Sequence, residues 1–189
     1  MTTADIGIIG GSGFYSFFDA PEEVVLDTPF GAPSGPLTIG EVAGRRVAFL
    51  PRHGRHHQFP PHQVNYRANL WALRAVGVRQ VLAPCAVGSL QRHLTQGAFV
   101  VPDQVVDRTW GRPHTVFGDV GAVVHVQFSD PYCPGGRAAL LAAASEDTPL
   151  VDGGTLVVIN GPRFSTRAES RWHSAAGWPV AKHAVFSSR

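Results

Sequence analysis

Lysine and cysteine are scarce in this 189-residue chain, and their scarcity excludes two classes of protein. Lys182 is the one lysine among 16 basic residues, and the formal net charge is only +2. So small an excess of positive charge argues against nucleic-acid binding, which relies on a clustered basic face. The two cysteines, Cys85 and Cys133, are too few for a disulfide scaffold or a four-cysteine zinc site.

The sequence also lacks a long apolar run. No stretch approaches the roughly 18 residues that a membrane-spanning helix needs. Residues 1–13 have neither the basic start nor the apolar centre of a secretory signal. With 44% hydrophobic and 16% charged residues, the chain still has enough apolar side chains to bury a core. We therefore expect a soluble, cytoplasmic, single-domain protein with no membrane association.

Short apolar runs alternate along the chain with segments of helical periodicity. Leucines and alanines recur on one face of residues 65–75, which predicts an amphipathic helix that ends at Gly77. Residues 155–159, TLVVI, are typical of a strand buried on both faces. The same patterns predict further strands at 5–9, 37–39, 47–50, 78–83, 98–101 and 123–126, and helices at 136–145 and 166–176. This alternation predicts an α/β fold, in which a sheet is layered with helices.

The first apolar run ends in a glycine-rich turn, Gly10-Gly11-Ser12-Gly13. Glycines let backbone N–H groups approach a ligand closely, and the Ser12 hydroxyl adds a donor, so such turns often bind phosphate. The spacing is not a dinucleotide fingerprint, because Ser16 stands where that motif needs its third glycine. On this motif alone, a phosphate-binding turn and an ordinary strand-ending turn both stay open.

A basic, histidine-rich segment, Arg52-His53-Gly54-Arg55-His56-His57, follows the strand predicted at 47–50. A guanidinium binds phosphate through two parallel hydrogen bonds and an imidazole adds a third donor, so this pattern favours an anion site. Zinc is disfavoured, because the arginines repel a cation and no acid or cysteine lies nearby. A solvated basic loop is the alternative.

Small residues follow the strand predicted at 78–83. Cys85 and Ala86 stand at its carboxyl end, where an α/β sheet leaves a crevice for ligands. A lone cysteine could act as a nucleophile, but no histidine neighbours it in the sequence and buried cysteine is common in cores. The pattern therefore favours a role for Cys85 in the core or in a pocket wall.

Phe164 and Ser165 lie between the buried strand at 155–159 and the start of a helix. Thr166 and Glu169 have the capping-box spacing that opens that helix. An aromatic ring at this place could stack on a planar base, and the neighbouring hydroxyl could bind it. The alternative places Phe164 in the core and leaves Ser165 and Thr166 as helix caps.

In their order along the chain, these segments are far more specific than any one of them. They read IGIIGGSGFY, LDTPFGAPS, FLPRHGRHH, VNYRANLWAL, CAVGSL, VVPDQVVDRT, DPYCPGGR and NGPRFSTRAES. Over residues 6–180 the chain thereby resembles the 5′-methylthioadenosine phosphorylase branch of the purine nucleoside phosphorylases. The resemblance implies the phosphorylase/hydrolase α/β fold, with a mixed central sheet flanked by helices, and a homotrimer without a metal.

The reaction implied by the resemblance is the phosphorolysis of a purine nucleoside. Inorganic phosphate attacks the ribosyl C1′ and releases the free purine and a sugar 1-phosphate, with no cofactor. The implied enzyme is a pentosyltransferase of purine salvage. S-methyl-5′-thioadenosine is the first substrate that we expect, and 6-oxopurine nucleosides (inosine and guanosine) are the alternative.

The resemblance implies that five residues of this chain bind phosphate. Ser12 would hold phosphate by its hydroxyl and backbone, and Arg52 and His53 would be the main donors. Cys85 and Ala86 would line the phosphate and the ribose by backbone groups. Relatives often have threonine where Cys85 stands, so this chain would lack the hydroxyl donor that those relatives have.

The resemblance implies that three further residues bind the nucleoside. Phe164 would pack on the purine, and Ser165 would stand at the position that tunes base preference. His125 would reach into a neighbouring subunit's pocket, near the 5′ group of the nucleoside.

The resemblance also implies residues that the matching positions do not show. Relatives follow the strand that starts at 178–180 with an Asn-Met-Thr-type segment, and later with an Asp pair that recognises and protonates the base. Here Lys182-His183-Ala184 stands at the first of these places. We therefore expect a family domain over residues 1–180 that is incomplete at its C-terminus, a tail at 181–189 outside the family, and no leaving-group acid. A catalytically inactive fragment is thus the third hypothesis.

Overall fold

The computed structural model describes residues 3–11, 18, 21–113, 115–118, 121, 123–148 and 150–183. The chain divides into two compact units. The first unit consists of Met1–Cys85 and Arg112–Val124, and the second of Ala86–Gly111 and His125–Arg189.

A five-stranded mixed sheet forms the centre of the first unit. Its strands are β1 (Ile6–Gly10), β2 (Glu22–Val24), β3 (Leu37–Val42), β4 (Arg45–Pro51) and β5 (Gln80–Leu82), and their order in the sheet is β2-β3-β4-β1-β5. Strand β1 runs parallel to β4 and β5, whereas β3 runs antiparallel to β2 and β4. Strand β1 is central in this sheet, with β4 and β5 paired along its two edges, and four of its five residues are buried.

Helix α1 (Tyr66–Ala75) belongs to the first unit and connects β4 to β5. Asn65 caps its N-terminus by accepting a hydrogen bond from the backbone N–H of Ala68, as an N-cap does. A Cβ on Gly7 of β1 would lie 3.2 Å from Cδ2 of Leu73, so glycine at this position lets the strand and the helix approach closely.

The second unit contains a four-stranded and a two-stranded sheet. The larger sheet has the order β6-β11-β10-β8, formed by β6 (Gly88–Ser89), β8 (Gln104–Arg108), β10 (Thr155–Ile159) and β11 (Val180–His183). Strand β10 is parallel to both neighbours, and β6 is antiparallel to β11. Strands β7 (Phe99–Val101) and β9 (Leu150–Asp152) pair in parallel as the smaller sheet.

Two helices complete the second unit, α2 (Pro134–Ala142) and α3 (Arg167–Ala175). Helix α3 begins with the predicted capping box, in which Thr166 Oγ1 accepts from the N–H of Glu169 and the Glu169 carboxylate accepts from the N–H of Thr166. The box satisfies backbone donors that the first helical turn would leave without partners.

The predicted α/β fold with a mixed sheet is confirmed. The strand predicted at 123–126 is wrong: in the described part of this segment no residue pairs with a strand, and Val123 is 85% exposed. Valines favour strands only where a neighbouring strand is available to pair with them. Strands β2, β6, β8 and β9 were not predicted.

Two further predictions concern the end of the domain and the membrane. The domain boundary predicted at residue 180 falls at the start of β11, and residues 184–189 of the predicted tail lie outside the described residues, so this boundary stays a prediction. No helix among the described residues is long and apolar enough to cross a membrane.

Candidate functional site

The carboxyl ends of β1 and β4 lie side by side in the first unit. Their parallel register pairs Gly10 with Pro51, and the backbone N–H of Arg52 donates to the Gly10 carbonyl at 2.9 Å. The basic segment therefore begins beside Gly10, the first residue of the glycine-rich turn, although Gly10 and Arg52 are 42 positions apart in the sequence. Sequence reasoning proposed both segments, and the sheet brings them together.

The side chain of Arg52 is buried at this edge of the sheet, with 2% of its surface exposed. Nη2 donates to the carbonyl oxygens of Ile9 and Pro84, both at 2.9 Å. Nη1 lies 4.0 Å from the place where a Cβ on Gly11 would stand. We call Arg52, Gly11 and the carbonyls of Ile9 and Pro84 the Arg52 cluster, and its two carbonyl hydrogen bonds fix the orientation of the guanidinium.

A fixed, buried guanidinium at the carboxyl end of parallel strands is suited to binding an anion. Its planar donors match the oxygens of phosphate, and burial strengthens their electrostatic attraction because little water screens it. The absence of Cβ at Gly11 leaves space beside Nη1. The cluster can therefore position an oxyanion and hold its charge.

Tyr66 and Arg112 lie in the same unit as this cluster and form a pair that sequence reasoning did not find. The Tyr66 hydroxyl donates to the Pro61 carbonyl at 2.9 Å, and the Arg112 guanidinium lies 5.0 Å from the centre of the Tyr66 ring. Burial raises the pKa of the Tyr66 hydroxyl, and the positive charges of Arg112 and Arg52 oppose that rise. Tyr66 and Arg112 are 46 positions apart, so no local pattern in the sequence links them.

His53 follows Arg52 and is half-buried. Its Nδ1 lies 2.8 Å from the Phe59 carbonyl, which only accepts hydrogen bonds, so Nδ1 carries the proton. The Nε2 atom then acts as a donor only when the ring is an imidazolium. The His57 ring lies 4.8 Å away, yet no three His, Cys, Asp or Glu side chains in the described ranges are grouped so as to hold a metal ion.

Three other residues were predicted to bind phosphate, and the structure describes Cys85 and Ala86. Cys85 is a half-buried free cysteine directly after Pro84, whose carbonyl accepts from Arg52. Ala86 is exposed and is the first residue of the second unit. Ser12 lies outside the described residues, so its predicted role stays a prediction.

A cavity of about 340 Å³ lies within the second unit, at the ends of β6, β10 and β11. Phe164 and Ser165 line it together with Ala86, Ser170 and Lys182, and we call it the Phe164 cavity. Phe164 is 81% exposed, so the alternative that placed it in the core is wrong. An exposed aromatic ring in a cavity wall offers a flat apolar face to a planar ligand.

The loop that carries Phe164 has a dense set of hydrogen bonds. The Arg163 guanidinium forms two bonds with the Glu169 carboxylate, at 2.8 and 2.7 Å, and Nη1 also donates to the Phe164 carbonyl at 2.9 Å. The hydroxyls of Ser165 and Ser170 are 2.7 Å apart. The Glu169 pKa is lowered to about 2, first by the hydrogen bonds from Arg163 and then by the N–H of Thr166.

His125 is exposed and is not among the residues that line the Phe164 cavity. Val126 and Phe128, which follow it, are 67% and 53% exposed. The structure therefore does not bring His125 to the other predicted nucleoside-binding residues of its own chain. Its predicted role in a neighbouring subunit stays a prediction.

A sequence model of the phosphorylase superfamily matches residues 5–181. The chain belongs to the phosphorylase superfamily. The match includes β1 at one end and the first part of β11 at the other, so it covers the Arg52 cluster and every residue that lines the Phe164 cavity except Lys182.

Similar relatives within the superfamily carry two different names. The chain is 64% identical over 185 residues to the "Purine nucleoside phosphorylase" of Streptomyces coelicolor, covering 94% of this chain and 66% of that protein. It is 61% identical over 173 residues to the "S-methyl-5'-thioadenosine phosphorylase" of Mycobacterium tuberculosis, covering 91% and 63%. The chain thus spans about two thirds of the length of these curated relatives.

Solved phosphorylases also share this fold. A methylthioadenosine phosphorylase from an antarctic soil metagenomic library superposes with a TM-score of 0.90 at 42% identity, covering 97% of this chain and 66% of that one. The Schistosoma mansoni methylthioadenosine phosphorylase in complex with tubercidin gives a TM-score of 0.89 at 38% identity, covering 98% and 73%.

Proposed function

We propose that this chain serves the phosphorolysis of a purine nucleoside, with S-methyl-5′-thioadenosine as the substrate. The observation that carries the proposal is the buried Arg52 guanidinium, which the carbonyls of Ile9 and Pro84 orient beside Gly11. The names of several relatives support the choice of nucleoside. The reaction would be a pentosyl transfer to inorganic phosphate, with no cofactor.

Phosphate binding would be the task of the Arg52 cluster. A phosphate oxygen attacks C1′ of the ribose, the bond from C1′ to N9 breaks, and its electron pair stays with the purine. Positive charge develops on the ribosyl ring, so a phosphate anion held below C1′ both attacks and stabilises that charge. Arg52, Ser12 and Cys85 would hold the anion, and His53 would donate from its backbone or as an imidazolium.

Purine binding would be the task of the Phe164 cavity. The exposed Phe164 ring would stack on the base, and Ser165 would contact its edge. The leaving purine takes up a proton at N7, and we assign no residue of this chain to that step. His125 would act from a neighbouring subunit in a homotrimer, and the exposed apolar side chains of Val126 and Phe128 suit a subunit contact.

A second candidate substrate is a 6-oxopurine nucleoside such as inosine or guanosine. It is favoured by the 64% identical relative, which is named purine nucleoside phosphorylase. The two substrate classes differ in hydrogen-bonding pattern at one edge of the base, because an amino group donates and an oxo group accepts. Ser165 does not decide between them, since a hydroxyl can do both.

An assay of the purified chain tests the proposal. S-methyl-5′-thioadenosine, inosine and guanosine are each incubated with and without phosphate, and the free purine and the sugar 1-phosphate are measured. Phosphate-dependent release of adenine supports the proposal, and faster release of hypoxanthine or guanine favours the second candidate. Phosphate binding without any turnover would contradict both and support a catalytically inactive chain.

A further inference from the structure

The loop between β10 and α3 carries Phe164, and its backbone sets where the Phe164 ring stands in the cavity wall. The Phe164 side chain is 81% exposed, so most of its surface is accessible to a ligand. A fixed backbone at Phe164 helps the ring keep a constant position in the cavity wall. Hydrogen bonds to that backbone therefore help to set the position of the ring.

Arg163 and Glu169 bracket this backbone from both sides. Nη1 of Arg163 donates to the Phe164 carbonyl at 2.9 Å, and Oε2 of Glu169 accepts from the backbone N–H of Thr166 at 2.7 Å. The two side chains are joined to each other by two hydrogen bonds at 2.8 and 2.7 Å. The pair thus connects the beginning of the Phe164–Ser165 segment to its end.

This arrangement contains more than helix capping requires. A capping box needs only the threonine hydroxyl and the glutamate carboxylate, and both are present without Arg163. The additional guanidinium joins the cap to the Phe164 carbonyl. A second connection runs from Ser165 to Ser170, whose hydroxyls are 2.7 Å apart and both line the cavity.

We propose that the Arg163–Glu169 pair is a positioning device for the purine: it fixes the Phe164–Ser165 segment and thereby sets the affinity of the Phe164 cavity for a planar heteroaromatic base. The idea rests on the proposed function for the identity of that base. Neither Arg163 nor Glu169 is among the residues that line the cavity, so both act through Phe164 and Ser165.

Three variants separate positioning from capping. Arg163→Ala removes the connection and leaves the capping box in place. Glu169→Gln keeps an acceptor for the Thr166 N–H, as glutamine does in capping boxes, but removes the charge that holds Arg163. Arg171→Ala is the matched control, because Arg171 is an exposed arginine on the same helix that does not line the Phe164 cavity.

Two measurements are made on each variant in the full chain. Amide hydrogen exchange reports the order of the Ser165 and Thr166 backbone without any ligand. Isothermal titration gives the dissociation constants of adenine and of inorganic phosphate. We expect Arg163→Ala and Glu169→Gln to speed the exchange at both amides and to weaken adenine binding roughly tenfold, a loss of about 1.4 kcal/mol. Phosphate affinity and the Arg171→Ala variant should match the unmodified chain.

The outcomes distinguish this proposal from the proposed function. Unchanged exchange in Arg163→Ala, or a Glu169→Gln variant that binds adenine like the unmodified chain, would overturn the positioning role and leave capping alone. Arg163→Lys should restore part of the affinity through its charge, but not all of it, because an ammonium lacks the planar fork. If the unmodified chain binds phosphate but no purine, the proposed function fails, and the exchange rates still decide whether the pair fixes the loop.

Discussion

Arg52 and Phe164, the central residues of the two candidate sites, are held in place in different ways. Arg52 is a buried cation whose donors are directed by two carbonyl oxygens, whereas Phe164 is an exposed aromatic whose backbone is tied by hydrogen bonds. The difference suits the proposed ligands. An anion is attracted more strongly where water is excluded, and a base needs an accessible flat face.

Replacing Arg52 tests the phosphate assignment directly. We expect Arg52→Ala to weaken phosphate binding by about 10- to 100-fold, because a hydrogen bond to a charged group contributes roughly 1.5–3 kcal/mol. Isothermal titration with inorganic phosphate measures the effect, and a thermal melt shows that the variant is folded. Arg55→Ala is the control, since Arg55 is exposed and pairs with Glu23 at the surface. Equal phosphate affinity in the two variants would refute the assignment.

A substitution at Cys85 is a second test of the phosphate assignment, and it should strengthen phosphate binding. A threonine hydroxyl at this position would add a donor beside the Pro84 carbonyl, so Cys85→Thr should tighten phosphate binding several-fold. Cys85→Val is the matched control, because valine has nearly the same shape without the hydroxyl. The prediction fails if both variants bind phosphate equally well, as measured by titration.

At the scale of secondary structure, helix α3 connects the stability of the second unit to the Phe164 cavity. Its N-terminus carries the capping box, and its first turn supplies Ser170 to the cavity wall. The helix is short, so its cap contributes a larger share of its stability than it would in a long helix. Local helix stability and cavity shape are therefore coupled.

Removing the cap should lower stability by a measurable amount. Thr166→Ala is expected to reduce the free energy of unfolding by about 1 kcal/mol, because the N–H of Glu169 loses its acceptor. Urea denaturation followed by circular dichroism gives the value. Thr166→Ser retains an oxygen that can accept the same hydrogen bond and should stay near the unmodified chain. A serine variant as unstable as the alanine variant would show that the hydroxyl is not the cause.

At the scale of the whole molecule, a buried histidine should make stability depend on pH. His173 is 1% exposed, its ring stacks on Trp178, and the Trp172 ring lies tilted to it at 5.5 Å. Within the described chain neither ring nitrogen of His173 has a hydrogen-bond partner. Burial is the main cause that lowers the pKa of His173, Arg108 lowers it further, and Glu169 opposes them. The folded protein therefore favours the neutral ring.

The sign of the effect follows from this lowered pKa. Below a pH of about 6.5 the unfolded chain takes up a proton at His173 more readily than the folded chain, so stability declines as the pH falls. We expect the melting temperature to drop between pH 7.5 and pH 5.5, and to drop less in His173→Phe, which keeps an aromatic ring but cannot titrate. Equal drops in the two proteins would exclude His173 as the cause.

Local patterns predicted those elements whose residues interact with near neighbours in the chain. The period of apolar side chains located α1, the β-branched run located β10, and the spacing of Thr166 and Glu169 located the start of α3. Strands β6 and β9 were missed, since they are only two and three residues long and exist through pairing with distant strands. The strand at 123–126 was predicted wrongly because its valines have no strand to pair with in the described part of the chain, which the local sequence does not show.

The sequence by itself determined the α/β class, the superfamily and the residue types available for an anion and a planar base, because these depend on composition, short motifs and their order. Only the tertiary structure decided which of them meet. Parallel pairing of β1 with β4 and β5 places Arg52 against the carbonyls of Ile9 and Pro84. Exposure of Phe164 and burial of His173 likewise depend on how distant segments pack, which is a property of the folded chain and not of any short stretch of sequence.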